Sequence, residues 1–216
     1  MVQACANGPY PDLMKAQQET WDSIRVPGVK TIYYHGTPEN EKPKTNLRVN
    51  KKSFWRYIYE APCSDAYNMM HWKFKLAMDY VWNWEWDFVF RTNASTYVNK
   101  ERILNFIQDK PIEKYYSGIN CDNKFVSGTN ALLSRDCIDI ARKQFTIEPN
   151  AAEDVYLGLI LLANGIKITD GVSRPHYNFN TNIITDGDCY RCKSHNDDRT
   201  KDIQAFKTLF NHFHPK

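Results

Sequence analysis

The stretch Asp87-Phe-Val-Phe-Arg-Thr-Asn-Ala-Ser-Thr-Tyr-Val-Asn99 decides how the chain is read. Residues 87–91 are a short apolar run that predicts a strand, residues 92–96 are a polar loop, and a helix is expected from near Asn99 to Gln108. Upstream, Ser64-Asp65 is a helix-start signal, followed by Phe74, Leu76, Tyr80 and Val81 on a well-buried helix. Before that lie a polar stretch over 40–52, read as an exposed loop or short edge structure, a strand over 29–34 and a helix over 13–23. Downstream, strands are expected over 115–119 and 124–126, helices over 135–145 and from Val155 to a glycine cap at Gly165, and a strand over 166–169. A helix over 202–213 ends the series, and the glycine- and asparagine-rich segment 171–198 before it reads as an active-site flap. Strands that alternate with helices imply an α/β domain with a mostly parallel sheet covered on both faces. Such sheets bind ligands at the carboxyl ends of their strands, where the loop 92–96 falls.

The chain has 216 residues, the length of one domain, and its 42% hydrophobic and 14% aromatic content supplies a core. The net charge of +3 is spread along the chain, which argues against a dedicated nucleic-acid binder. No stretch approaches the roughly 18 to 20 apolar residues of a membrane span. The first residues also lack the layout of a secretion signal, so the chain as it stands is expected to be cytoplasmic. Val2-Gln3-Ala4-Cys5 reads as the tail of a strand that begins abruptly, as in a domain excised from a longer protein. The six cysteines outline no disulfide framework, and reduced thiols are expected. Cys189-Tyr-Arg-Cys192 with His195 would supply part of a zinc site but lacks a second pair of ligands.

Four segments, in order, resemble the inverting β-1,3-galactosyltransferase and Fringe group of glycosyltransferases. Met14-Lys-Ala-Gln-Gln-Glu-Thr-Trp21 is similar to that group's helix ending in Glu-Thr-Trp, and Asp65-Ala-Tyr-Asn68 through Lys73 to its Asp-x-Tyr-x-Asn-Leu-Thr-x-Lys stretch. The opening stretch 87–99 takes the place of its Lys-Thr-Asp-Asp-Asp-Val-Phe-Val. Phe125-Val-Ser-Gly-Thr-Asn-Ala-Leu-Leu-Ser134, together with Glu153-Asp-Val-Tyr-Leu-Gly158, is close to its Ser-Gly and Glu-Asp-Val motifs. The resemblance implies a GT-A fold in a single domain over 1–216, a nucleoside diphosphate sugar as donor (a UDP-sugar by default) and a glycan or glycoprotein acceptor. For a piece of a longer chain it also implies the Golgi lumen.

The departure lies in the loop, where Asn93, Ala94 and Ser95 replace the metal-binding aspartates. An amide and a hydroxyl hold Mg²⁺ or Mn²⁺ far less firmly than carboxylates do, so either no metal or a weakly bound one is expected. In this the loop resembles the Arg-Thr-Asn-x-Ser loops of small viral and microbial glycosyltransferases. His176, in Pro175-His176, matches the position at which the resembled group ligates its metal; a surface histidine is the plainer reading. The same resemblance makes Asp154 the base that deprotonates the acceptor, with Glu153 beside it to shift its titration. Two acids at a helix start equally suit the helix dipole.

For the donor, Asn93, Ser95 and Thr92 would hydrogen-bond ribose or phosphate, Gly128 would let the backbone approach closely, and Asp65 belongs to the nucleotide-side stretch. Diphosphate charge would fall to Arg91, Lys73, Arg174, Arg191 and Lys193, with Arg191-Cys-Lys193 and Arg199 as the strongest cluster. Trp72, Trp82, Trp84 and Trp86 are read as packing. The functional expectation is inverting sugar transfer; the alternative is a glycan-binding or scaffolding protein that keeps the fold without catalysis.

Overall fold

The computed structural model describes residues 1–38, 41–42, 45–49, 54–146, 152–181, 183–194 and 198–215. In chain order these form β1 (Val2–Gln3), α1 (Tyr10–Glu19), β2 (Thr31–Thr37), β3 (Asn46–Val49), β4 (Arg56–Ser64), α2 (Met70–Val81) and β5 (Phe88–Asn93). There follow β6 (Thr96–Val98), α3 (Lys100–Ile107), β7 (Tyr116–Gly118), β8 (Asn120–Cys121), β9 (Phe125–Val126), β10 (Ala131–Ser134) and α4 (Arg135–Gln144). The last elements are α5 (Glu153–Ala163), β11 (Ile168–Asp170), β12 (Cys189–Arg191) and α6 (Arg199–Phe213).

The main sheet has the order β11-β7-β10-β5-β1-β2-β4-β3. Only β10 and β3 run against the other strands, so the sheet is mixed but mostly parallel. Alternation along each strand divides two cores. Ile32, Tyr34 and Leu133 pack with α2, α4 and α5 on one face. Tyr33 and Leu132, one residue out of phase, pack with Leu13 of α1, Ile103 of α3 and Phe206 of α6 on the other. Both faces are therefore covered, which explains why the inner strands read as near-continuous apolar runs.

The topology creates the site. From β1 the chain passes through α1 to β2 on one side, and after α2 it returns to β5 on the other side of β1. The strand order thus reverses between β1 and β5, where Gln3 is in register with Asn93, and a crevice opens beyond their carboxyl ends. Opposite in role is Asp22, fully buried after α1: it accepts from Arg56 Nε at 2.6 Å and Lys100 Nζ at 3.1 Å, tying α1 to β4 and α3.

Several expectations change. The nine-residue β4 is hidden in the sequence by Arg56, Glu60 and Pro62. Arg56 is buried because Asp22 pairs with it, and Pro62 is tolerated because pairing with β3 ends at Glu60 while the register with β2 shifts between His35 and Thr37. The polar stretch over 40–52 contributes the edge strand β3. The helix expected from Ser64-Asp65 begins at Met70, because Asp65 instead binds backbone amides of neighbouring strand ends. The buried strand β10 is not among the expected elements, because four residues carry too little periodicity to stand out from the glycine turn before them.

Segment 171–198, expected as a flap, is stitched to the body. Its β12 pairs antiparallel with β6, and Val172, Tyr177, Cys189, Tyr190 and Cys192 are buried, too widely spaced to form a run in the sequence. The tryptophans pack as expected, with Arg135 lying 4.6 Å from the Trp82 ring centre and 4.7 Å from that of Trp86. No helix among the described residues is long and apolar enough to cross a membrane.

Candidate functional site

A cavity of about 540 Å³ opens at the carboxyl ends of β1 and β5. A smaller, largely apolar one of about 210 Å³ lies at the opposite, amino-terminal ends, around Met1, Val29 and Phe88. The larger is lined by Gln3 to Cys5 at the end of β1, Asp65 and Lys73, Asn93 to Ser95 at the end of β5, Ser127 to Thr129, Glu153-Asp154, and Arg191, Lys193 and Arg199.

Its floor is one buried network centred on Arg91. The guanidinium donates through Nη1 to the Gly128 carbonyl, and through Nη2 to Gln3 Oε1 and the Glu153 carboxylate. Gly128 is then held from its other side, because its N–H donates to Asp154 Oδ2 at 3.0 Å. A Cβ at position 128 would fall on the Arg91 guanidinium, so glycine is required by close approach rather than by its backbone angles. Burial pushes Glu153 up to about 7; Arg91 opposes that rise and Asp154 adds to it. Arg91 is shifted upward by Glu153, Tyr34 and Asp154, although burial alone would lower it.

Asp154 occupies the first turn of α5, where the unpaired N–H groups favour an anion. Its Oδ2 accepts from Gly128 and its Oδ1 from the Val155 amide at 3.0 Å, which fixes the carboxylate plane. It is half-buried beside the cavity, whereas Glu153 is 3% exposed. Of the two acids, Asp154 is the one within reach of a ligand.

On the opposite wall Asp65 and Lys73 form a buried pair at 2.9 Å. Asp65 also accepts the backbone amides of Ala6 at 2.6 Å and Gly36 at 2.8 Å, so it clamps the ends of β1 and β2. Asn93 Oδ1 accepts from the Ser95 amide at 3.0 Å, and from Thr96 Oγ1 and Arg191 Nη1 at 3.3 Å each. Ser95 Oγ accepts from Arg199 Nη1 at 3.1 Å. Arg199 also pairs with Asp202 at 2.7 Å and lies 5.6 Å from the Tyr10 ring centre.

Of the residues singled out from sequence, Asp154, Glu153, Arg91, Asn93, Ser95, Lys73, Asp65, Gly128, Arg191 and Lys193 all line this cavity. Arg91 and Lys73, expected to face phosphate, spend their charge on Glu153 and Asp65. Thr92 is turned away: it lines the smaller cavity, and its hydroxyl donates to the Thr129 carbonyl at 2.7 Å. His176 is exposed and outside the cavity lining, its backbone bridged to Arg191. Among the described residues no three His, Cys, Asp or Glu side chains cluster as a metal site, and the loop donors Asn93 and Ser95 already accept internal hydrogen bonds.

All six cysteines are free thiols, with Cys189 and Cys192 buried; His195 lies outside the described residues. Gln3, Tyr10 and Tyr67 join the cavity without having been singled out. Gln3 had a signal in the abrupt strand tail 2–5, since the first strand of such a sheet leads to its switch point, and Tyr67 had one as the tyrosine of Asp65-Ala-Tyr-Asn68; Tyr10 had none. In comparison with known proteins, no protein-family model matches the chain, and no curated protein matches it significantly.

Proposed function

We propose that this chain is a glycosyltransferase of GT-A type, which moves a sugar from a nucleoside diphosphate donor, by default a UDP-sugar, to a glycan hydroxyl with inversion. One observation carries the reading: three of the four segments on which the resemblance rests, through Asp65 and Lys73, Asn93–Ser95, and Ser127–Thr129 with Glu153-Asp154, line a single cavity at the carboxyl ends of parallel strands, while the first, 14–21, lies outside it. Segments that merely built a scaffold would have no reason to meet there.

In this reading the acceptor oxygen attacks the anomeric carbon while Asp154 takes the hydroxyl proton. The new C–O bond forms as the bond to the diphosphate breaks on the opposite face, and its electron pair leaves with the diphosphate. Asp154 meets the geometric need, with one carboxylate edge fixed by Gly128 N–H and Val155 N–H at the cavity wall. Glu153, buried against Arg91, positions that helix start and does not reach the acceptor. Ser127 and Thr129, whose hydroxyls lie 2.9 Å apart, supply neutral hydrogen bonds for a sugar.

The test is Asp154→Asn, assayed with a panel of UDP-, GDP- and CMP-sugars and simple glycan acceptors. Transfer should fall by several orders of magnitude while thermal stabilisation by the donor nucleotide persists. A wild-type chain stabilised by no nucleotide, with or without Mn²⁺, refutes the enzyme and leaves the non-catalytic glycan-binding reading.

A further inference from the structure

Two arginines meet at the end of the cavity formed by Asn93 and Ser95, and a third, Arg174, lies behind them outside its lining. Arg191 and Arg199 line it directly. Arg174 is placed beside Arg191 by paired backbone: Arg191 N–H donates to the Pro175 carbonyl at 2.9 Å, and Tyr177 N–H donates to the Arg191 carbonyl at 2.9 Å. Arg174 Nε is buried without a hydrogen-bond partner. Arg191 reaches Asn93 Oδ1 at 3.3 Å, a long contact to a neutral acceptor. Arg199 reaches the hydroxyl of Ser95 at 3.1 Å and the carboxylate of Asp202 at 2.7 Å.

The charges do not cancel. Among these groups three guanidiniums have one carboxylate partner, Asp202, and Lys193 adds a further positive group to the same wall of the cavity. The strain is visible on Arg191, whose guanidinium is shifted downward by burial and then by Arg174 and Arg199, with Asp202 opposing. A fold does not gain stability by gathering like charges away from water, and sites that do so are commonly ligand sites. The compensating species is an anion, and planar guanidiniums match the paired oxygens of phosphate.

We propose that Arg174, Arg191 and Arg199 form a diphosphate site that works without a divalent cation, standing where the resembled group uses metal-bound aspartates. Asn93 and Ser95 orient two of the guanidiniums without neutralising them, which carboxylates at those positions would do. The assignment of the diphosphate to a sugar donor rests on the proposed function; the anion site does not.

The experiment is isothermal titration of the full chain at low ionic strength with inorganic pyrophosphate and, separately, with UDP, each in EDTA and in Mn²⁺. Both ligands should bind in EDTA, and Arg191→Gln and Arg174→Gln should each weaken both by about tenfold or more. Raising the salt should weaken pyrophosphate binding in the parent chain. If Arg191→Gln does not fold, Arg191→Lys and Arg174→Gln carry the same comparison, since lysine keeps the charge but loses the fork. Pyrophosphate bound without UDP upholds the arginine site and refutes the nucleotide donor. UDP bound only with Mn²⁺, and equally well in the arginine variants, overturns the site and leaves the donor reading standing. Binding of neither ligand overturns both.

Discussion

Replacing Arg91 by methionine tests the network beneath the cavity. Arg91 is 4% exposed and Glu153 3%, so the variant leaves a carboxylate in the interior without its counter-charge. Removing one partner of a buried pair costs about 3–5 kcal/mol, which for a chain of this length lowers Tm by roughly 10 °C. The cost must depend on pH, and its sign is fixed. Glu153 already holds its proton up to about 7 in the folded chain, against 4.5 as its ordinary value, so as pH rises through that window the folded state loses stability relative to the unfolded. Arg91 is the group that restrains this rise. Without it the carboxyl moves higher, and each further unit adds about 1.4 kcal/mol to the variant's deficit above pH 7. Urea denaturation of the parent chain, Arg91→Met, Glu153→Gln and the double variant, at pH 5.5 and pH 8, separates the contributions. Arg91→Met should be markedly worse at pH 8 than at pH 5.5, and the double variant should recover part of the loss because no charge remains to be buried. A deficit independent of pH, or a double variant no better than Arg91→Met, would refute the account of Glu153.

Gly128→Ala should destabilise the fold by about 1–3 kcal/mol and lower the yield of nucleotide-binding protein, because the added Cβ meets the locked Arg91 guanidinium rather than a movable surface chain; equilibrium denaturation measures it. Asp22→Asn should cost about 3–5 kcal/mol, since it weakens the partner of two buried cations, Arg56 and Lys100; a loss under 1 kcal/mol in urea would show that those cations find other compensation. Asn93→Asp should weaken pyrophosphate binding in EDTA, because a carboxylate would pair with Arg191; unchanged affinity by titration would count against the role given to that guanidinium.

How far the sequence could be read depended on the range of the interaction concerned. In the segment 87–108 the strand and the helix were legible, but the loop expected over 92–96 shrinks to Ala94-Ser95 between β5 and β6, a strand too short to show its own pattern. The Glu153-Asp154 pair was legible as a helix start, and α5 begins at Glu153. The partners of Arg91 were not, since Glu153 lies 62 residues away and Gln3 lies 88, and no local pattern encodes which carboxylate a buried guanidinium will meet. For the same reason Lys73 read as a free cation rather than as the counter-charge of Asp65. Strand β4 was masked because Arg56 is made apolar in effect only by Asp22, and β12 because its apolar residues belong to a core supplied by β6 and α6.

The neutral loop and the arginine corner account for one another. Where aspartates follow a strand such as β5 they attract a cation, and a neighbouring arginine would be neutralised by them before any ligand arrived. With Asn93 and Ser95 in their place, Arg191 is met by one uncharged oxygen at 3.3 Å, while Arg199 takes the Ser95 hydroxyl at 3.1 Å beside its ion pair with Asp202. In the proposed reading the positive charge that the resembled group takes from an ion comes from residues of β12 and α6, and β12 is brought to the loop by pairing with β6 immediately after it. The strand pairing that turns the 171–198 segment from an expected flap into part of the body is therefore what brings Arg191 to Asn93. In that reading the neutral loop and the anchoring of that segment are two sides of one arrangement.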